Sequence, residues 1–282
     1  MTASNQLRQL LDKPGILAAP AVYDCIGAKL AQKAGFPLIF TSGFGISASL
    51  LGLPDMGFLT ATEMLNQVRN IIKSVNIPVI CDLDTGYGNV LNVRRTVEDV
   101  VQFGAAGIIL EDQEWPKKCG HFEGKRVIPT VEMVKKIKAA VKARNKSNLV
   151  IIGRTDARAI YGLDEALNRG KQYQEAGADI IFIEAPQSIE ELEKIVNYFP
   201  DVPLLANIIE GGKTPCLTVN ELEKMEFKLV AFALSGLLSA NHAVSQYFEQ
   251  LKVTGSVNLN NNFQFQDFKN LIEVDKYREL EM

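Results

Sequence analysis

The sequence predicts an α/β fold: a (β/α)8 TIM barrel within a single domain spanning residues 1–282, with residues 252–282 as a C-terminal linker and helical extension. Three observations point there. Short apolar runs alternate with amphipathic segments through eight strand–helix units. The runs lack polar–apolar alternation, as suits strands covered on both faces of a parallel sheet. Three helix-to-strand junctions repeat small residues with glycine: Ala34-Gly35, Gly104-Ala105-Ala106-Gly107 and Ala176-Gly177-Ala178. Such residues end a helix and let the chain double back. A doubly wound sheet is the rival arrangement, but no Gly-x-Gly-x-x-Gly turn follows the first strand.

In order, the first strand is expected at 16–22, with a helix opening at Tyr23-Asp24 and running to Ala34. The second strand is Leu38–Thr41, followed by a Ser42-Gly43-Phe44-Gly45 turn. Met64, Leu65, Val68, Ile71 and Ile72 recur at helical spacing between Thr62 and Lys73. Pro78–Asp82 is a strand ending in acid. Helices at about 92–103, 130–144, 164–175, 189–198 and 219–225 then alternate with strands at 107–110, 149–153, 180–183, 203–206 and 228–233. The last barrel helix spans about 237–251. Beyond it, 257–266 is polar and Asn-rich, and Phe265, Phe268, Leu271 and Ile272 begin an amphipathic segment.

Composition narrows the function. The chain is 47% hydrophobic with a net charge of −3. No basic block suits nucleic acid, and no basic amphipathic face or long apolar run suits a membrane. The N-terminus lacks the charged-then-apolar order of a signal peptide. Cys25, Cys81, Cys119 and Cys216 are scattered. That predicts reduced thiols in a cytoplasmic setting and no structural zinc.

Barrel chemistry collects at the C-terminal ends of the strands. Those ends carry Ser42-Gly43-Phe44, Asp82 and Asp84, Glu111 and Asp112, Arg154, Glu184 and Asn207, with Asp55 in reach from the loop after the second strand. So many acids on one face repel one another unless a cation sits among them. Oxygen donors suit Mg²⁺ or Mn²⁺. Alternatively each acid caps a helix or pairs with a surface Lys or Arg. Arg154 should extend its guanidinium over the mouth, where it suits a carboxylate. Ser42, Gly43 and Phe44 offer a hydroxyl and backbone N–H groups for an oxyanion. Cys119 lies in Lys117-Lys118-Cys119-Gly120-His121. Nearby positive charge is expected to favour its thiolate, and Gly120 to let the loop move. His242 reads as structural.

Lys117-Lys118-Cys119-Gly120-His121 resembles the signature of the isocitrate lyase and phosphoenolpyruvate mutase superfamily. Asp82-Leu83-Asp84-Thr85-Gly86-Tyr87-Gly88-Asn89, Glu111-Asp112-Gln113, Gly153-Arg154-Thr155-Asp156-Ala157, Glu184-Ala185 and Asn207 resemble its other motifs, in its order, over about residues 10–250. The resemblance implies a barrel that swaps its eighth helix between subunits of a homotetramer. It implies Mg²⁺ or Mn²⁺ held by Asp82 and Asp84, with Asp55 and Glu111 acting partly through water. It implies a dicarboxylate substrate held by Ser42, Gly43, Phe44, Asp82, Gly120, Arg154, Glu184 and Asn207. Cys119 would protonate a carbanion, while Lys117 and His121 bind the second carboxylate.

Phosphonate-forming mutases of the superfamily lack the Cys-Gly-His triplet, so the resemblance favours the carbon–carbon lyase branch. Methylisocitrate lyases carry Arg and Pro where this chain has Leu238 and Ala233. With Phe44 in place of a small residue, that implies a smaller diacid, a 2-alkylmalate or oxaloacetate. The rival functions are phosphonopyruvate-type chemistry and a regulatory barrel that only binds a dicarboxylate.

Overall fold

The computed structural model describes residues 1–256 and 263–281; the 257–262 stretch of the expected linker lies outside the described residues. Eight parallel strands make one sheet: β1 (Leu17–Val22), β2 (Ile39–Thr41), β3 (Val79–Asp82), β4 (Gly107–Glu111), β5 (Val150–Thr155), β6 (Ile180–Ile183), β7 (Leu205–Ile208) and β8 (Leu229–Phe232). Their order is β6-β5-β4-β3-β2-β1-β8-β7. A parallel bridge between Ile181 and Leu204 joins the two ends and closes the barrel.

The pleat explains the core and the site together. Alternate residues of a strand face opposite sides. Phe40, Ile80, Ile109, Ile152, Phe182, Leu205 and Ala231 fill the barrel interior. Two residues further along each strand direction stand Ser42, Asp82, Glu111, Arg154, Glu184, Asn207 and Ala233. The site residues are therefore the uppermost inward-facing row of the barrel's own core. The outward set, including Val79, Cys81, Ile108, Leu110, Ile151, Ile181 and Val230, packs with helical residues such as Met64, Val68, Ile71, Val97, Met133 and Ile137.

Several elements differ from expectation. Ala3–Asp12 is a helix, capped by the Thr2 side chain on the Asn5 N–H. Its Leu7 is fully buried in the interior cluster, with Leu10 and Leu11 packed beside it. Arg8 donates to the carbonyls of Asn148 and Leu149, which ties the helix to the approach to β5. The helix thus plugs the end of the barrel opposite the site. Ser42-Gly43-Phe44-Gly45 is no free turn: a helix runs from Gly43 to Leu51, and Ser42 Oγ caps it by accepting the Gly45 N–H at 3.0 Å. The seventh strand lies two residues later than expected, which places Asn207 inside it.

The chain divides into two compact units, Met1–Gly236 and Leu237–Met282. Most of the final long helix, Ser235–Thr254, therefore belongs to the second unit, together with helices Phe265–Leu271 and Val274–Glu281. Leu238 lies in this second unit. No helix of the described residues is long and apolar enough to cross a membrane.

Candidate active site

The strand-end residues surround a cavity of about 50 Å³, room for a few water molecules. One side is polar: Ser42, Asp55, Asp82, Cys119, His121, Arg154, Glu184 and Asn207. The other is apolar, with Phe44, Leu205, Ile209, Ala231, Ala233 and Leu234. Phe44 packs edge-on against Phe122, with ring centroids 6.1 Å apart.

Arg154 is the hub. Its Nε and Nη2 donate to the two oxygens of Asp156 at 2.9 and 3.0 Å, a bidentate fork. Its Nη1 stands 3.2 Å from Glu111 Oε2, and its Nε 3.5 Å from Glu184 Oε2. The guanidinium also lies over the Phe182 ring, 5.3 Å from its centroid. Burial opposes the charge, but Asp156, Glu111 and Glu184 outweigh it and hold the guanidinium pKa well above its ordinary value.

Asp156 is itself fixed from behind. The buried Asp112 accepts from the Asp156 N–H, Thr155 Oγ1, Tyr173 OH and Arg169 Nη1, at 2.7 to 3.0 Å. Asp112 was expected among the acids at the mouth and instead supports Asp156 from behind, and Asp156 was not expected to take a role at the site. For Asp112 the signal was its place directly after the inward-facing Glu111, and for Asp156 it was the two-residue spacing from Arg154, which puts the two side chains in the same alternation.

The expected metal-binding acids are all buried. Asp82 Oδ1 accepts the Asp84 N–H at 3.1 Å, and Asp84 Oδ2 accepts from Tyr87 OH at 3.0 Å. Asp84 holds a left-handed backbone, φ 50°. A Cβ on Gly43 would come within 2.9 Å of Asp82 Oδ2, so only glycine lets this helix start against the acids. Burial and the neighbouring Asp84 push the Asp82 carboxyl up to about 6. Burial likewise raises Glu111 well above the usual carboxylate range, against the pull of Arg154. The donors suit a hard divalent cation. They are oxygens only, Asp55, Asp82, Asp84 and Glu111 outnumber Lys117 and Arg154, and Glu111 Oε1 has no hydrogen-bond partner. Among the described residues, however, no three such side chains stand in a ready-made ligand cage.

Lys117 accounts for part of that. It was expected on a substrate carboxylate. Instead its Nζ lies 2.6 Å from both Asp55 Oδ1 and Asp84 Oδ1 and neutralises the acid set. Lys118 turns away to the Gly124 carbonyl. His121 Nδ1 accepts the Lys213 N–H at 2.9 Å, which leaves Nε2 to carry the proton, 3.1 Å from Glu184 Oε1.

One expectation for the cysteine loop needs correcting. The thiolate of Cys119 is not favoured. The side chain is buried, and burial, with Asp55 and Glu184 near, pushes the thiol up to about 11. The lysines that flank it in sequence point elsewhere. Gly120 is required by close approach: a Cβ there would lie 2.5 Å from Arg154 Nη2 and from Glu184. The loop is pinned by Gln113, which donates to the Lys118 carbonyl and accepts its N–H, and by the Cys119 N–H on the Asp55 carbonyl. Trp115, which precedes the loop, packs edge-on against Tyr87 and takes no part in the cavity.

Glu184 yields a pH prediction. Burial alone would raise its carboxyl, but Arg154, His121 and Lys125 bring it down to about 2. A carboxyl depressed in the folded state stabilises the fold above its unfolded pKa, near 4.5, and that contribution is lost as pH falls toward 2. The thermal midpoint should therefore fall more steeply between pH 4.5 and 3 in the wild type than in Glu184→Gln. Parallel slopes would remove Glu184 from the acid-labile set.

A (β/α)8 barrel with a buried acid set, a forked arginine and a thiol at its mouth is the framework of an enzyme acting on a small anionic substrate. The chain belongs to the isocitrate lyase and phosphoenolpyruvate mutase superfamily. Residues 7–252 match the phosphoenolpyruvate phosphomutase family. The chain is 42% identical to 2,3-dimethylmalate lyase of Eubacterium barkeri, over 100% of this chain and 98% of that protein. Among solved structures, oxaloacetate acetylhydrolase with 3,3-difluorooxalacetate superposes with a TM-score of 0.95 at 32% identity, covering 99% of this chain and 96% of that one. A phosphonopyruvate hydrolase complex with oxalate and Mg²⁺ superposes with a TM-score of 0.89 at 32% identity, covering 100% and 98%. The protein is an enzyme of the superfamily's carbon–carbon lyase kind.

Proposed function

We propose that the protein is a Mg²⁺- or Mn²⁺-dependent lyase that splits a small 2-hydroxy dicarboxylate, a 2-alkylmalate, into an α-keto acid and a carboxylate. The observation that carries this reading is the buried Cys119 side chain at a cavity it shares with Arg154 and with an apolar lining, where burial pushes its thiol up to about 11. A thiol is the form that a proton donor needs.

Arg154 and the N–H groups of Gly43 and Phe44, at the start of the Gly43–Leu51 helix and on the cavity lining, bind one carboxylate. His121 Nε2 and Asn207 Nδ2 donate to the other, and Glu184, 3.1 Å from His121 Nε2 and 3.5 Å from Asn207 Nδ2, orients both. Asp82 and Asp84, with Asp55 and Glu111, would hold the cation, which when bound polarises the substrate oxygens. The C2 hydroxyl gives its proton to a carboxylate of the site and becomes the keto oxygen as the bond between C2 and C3 breaks, and that bond's electron pair remains on the carbon beside the departing carboxylate. Cys119 donates its proton there. The apolar wall accepts the alkyl group and excludes water from the carbanion. A diacid exceeds the present cavity, so the loop at 117–125 opens to admit it and closes for chemistry.

The test is a substrate panel: the protein with Mg²⁺ or Mn²⁺, and 2-alkylmalates including 2,3-dimethylmalate, then methylisocitrate, oxaloacetate and phosphonopyruvate. Release of an α-keto acid from an alkylmalate is the expected result. The small cavity and the likeness to oxaloacetate acetylhydrolase favour one second reading, hydrolysis of oxaloacetate, in which oxalate and acetate appear instead. Retained oxalate binding with no turnover of any compound would make the protein a dicarboxylate-binding barrel.

A further inference from the structure

We propose that Lys125 is a positioning residue that latches the Cys119-Gly120-His121 turn shut over the cavity; its catalytic consequence rests on the lyase reading above. Four basic residues, Lys117, Lys118, Lys125 and Arg126, lie on this loop, and two are buried: Lys117, paired with the acid set, and Lys125. Lys118 and Arg126 take surface partners, the Gly124 carbonyl and Glu114. The Lys125 side chain is 1% exposed. Lysine normally keeps its ammonium in water, and burying the charge is unfavourable unless it finds partners. The partners here are informative. Lys125 Nζ donates to the Gly120 carbonyl and stands 3.6 Å from Asp156 Oδ1.

Each partner has a second attachment. Gly120 lies against Arg154 and Glu184 so closely that no side chain fits. Asp156 grips Arg154 through both oxygens and is held to the barrel wall by Asp112. Lys125 therefore connects the carbonyl of Gly120, a residue packed closely on Arg154 and Glu184, to the carboxylate that orients the arginine. If the turn lifts, the ammonium loses its acceptor while still buried, so the closed loop is favoured. The other ties differ in kind. Lys117 bonds the acid set, the Cys119 N–H bonds the Asp55 carbonyl, and His121 is held by the Lys213 N–H. None of them holds the Gly120 carbonyl.

The experiment reads loop opening directly, without activity. The full chain is treated with N-ethylmaleimide, and alkylation of each cysteine is followed by peptide mass spectrometry. In the wild type Cys119 should react slowly, with the exposed Cys216 fast and the fully buried Cys81 protected. In Lys125→Met, Cys119 should react at least about tenfold faster, the loss expected for one charged hydrogen bond holding a local opening. Cys81 should stay protected. Removing a positive charge by itself disfavours the thiolate and would slow the reaction, so acceleration is specific to opening. Lys125→Arg should return the rate to within about threefold of wild type. An unchanged or slower Cys119 with Cys81 protected overturns the latch. If Lys125→Met loses its fold, shown by a reactive Cys81, Lys125→Gln replaces it. An intermediate acceleration then supports the latch, and a wild-type rate overturns it. In turnover assays kcat should fall more than KM rises. Failure of the lyase reading removes only that last measurement and leaves the alkylation result standing.

Discussion

Replacing Cys119 by serine should lower turnover by about three orders of magnitude, within the range ~10²–10⁴ that a positioned general acid supplies. The substitution keeps size and one proton but makes the donor far less acidic. The rest of the site should be unaffected, because backbone bonds seat this residue, among them its N–H on the Asp55 carbonyl at 2.9 Å. Metal-dependent oxalate binding, measured by calorimetry, should match the wild type. Pre-steady-state release of keto acid would show which step has slowed. If Cys119→Ser turns over within a few-fold of the wild type, the proton comes from elsewhere.

Arg154→Met should combine a loss of activity with a loss of the fold's stability. Arg154 faces Asp156, Glu111 and Glu184, all buried, at 2.9 to 3.5 Å. Methionine fills much of the volume but leaves those carboxylates facing one another. Removing one side of a buried ion pair costs about 3–5 kcal/mol, because the remaining charge is uncompensated. The denaturant midpoint should fall accordingly, and a divalent cation should recover part of it by occupying the acid set. Arg154→Lys separates the two roles. It keeps a positive charge and most of the stability, but it cannot grip Asp156 with a planar fork. Its activity should stay low. An Arg154→Met midpoint within about 1 kcal/mol of wild type would mean that the acids carry protons in the folded state.

Much of this site was legible in the chain, for a physical reason. A strand's side chains alternate with a period of two, and a barrel has one inside. Once the apolar runs were placed, the residues capping them had to face the mouth, and Ser42, Asp82, Glu111, Arg154, Glu184 and Asn207 do so. The errors lie where pairing decides. Lys117, Lys118, Lys125 and Arg126 read alike in a polar run, yet Lys117 bridges two acids, Lys125 is buried, and the other two face solvent. Charge near Cys119 in sequence suggested a thiolate, whereas burial, which depends on the folded loop, sets the opposite sign. The N-terminal helix was passed over because Leu7, Leu10 and Leu11 form a narrow stripe on a short segment. Its purpose becomes visible only when the open end of a barrel needs covering.

The two walls of the cavity come from different arcs of the barrel. The acids, the forked arginine and its supports rise from β3 to β6 and the loop between β4 and β5. Leu205, Ala231, Ala233 and Leu234 come from β7, β8 and the residues just after it, and Phe44 from the helix after β2. A substitution on the second arc changes which group fits without disturbing the charge balance of the first. Substrate choice and bond cleavage can therefore diverge independently in descent.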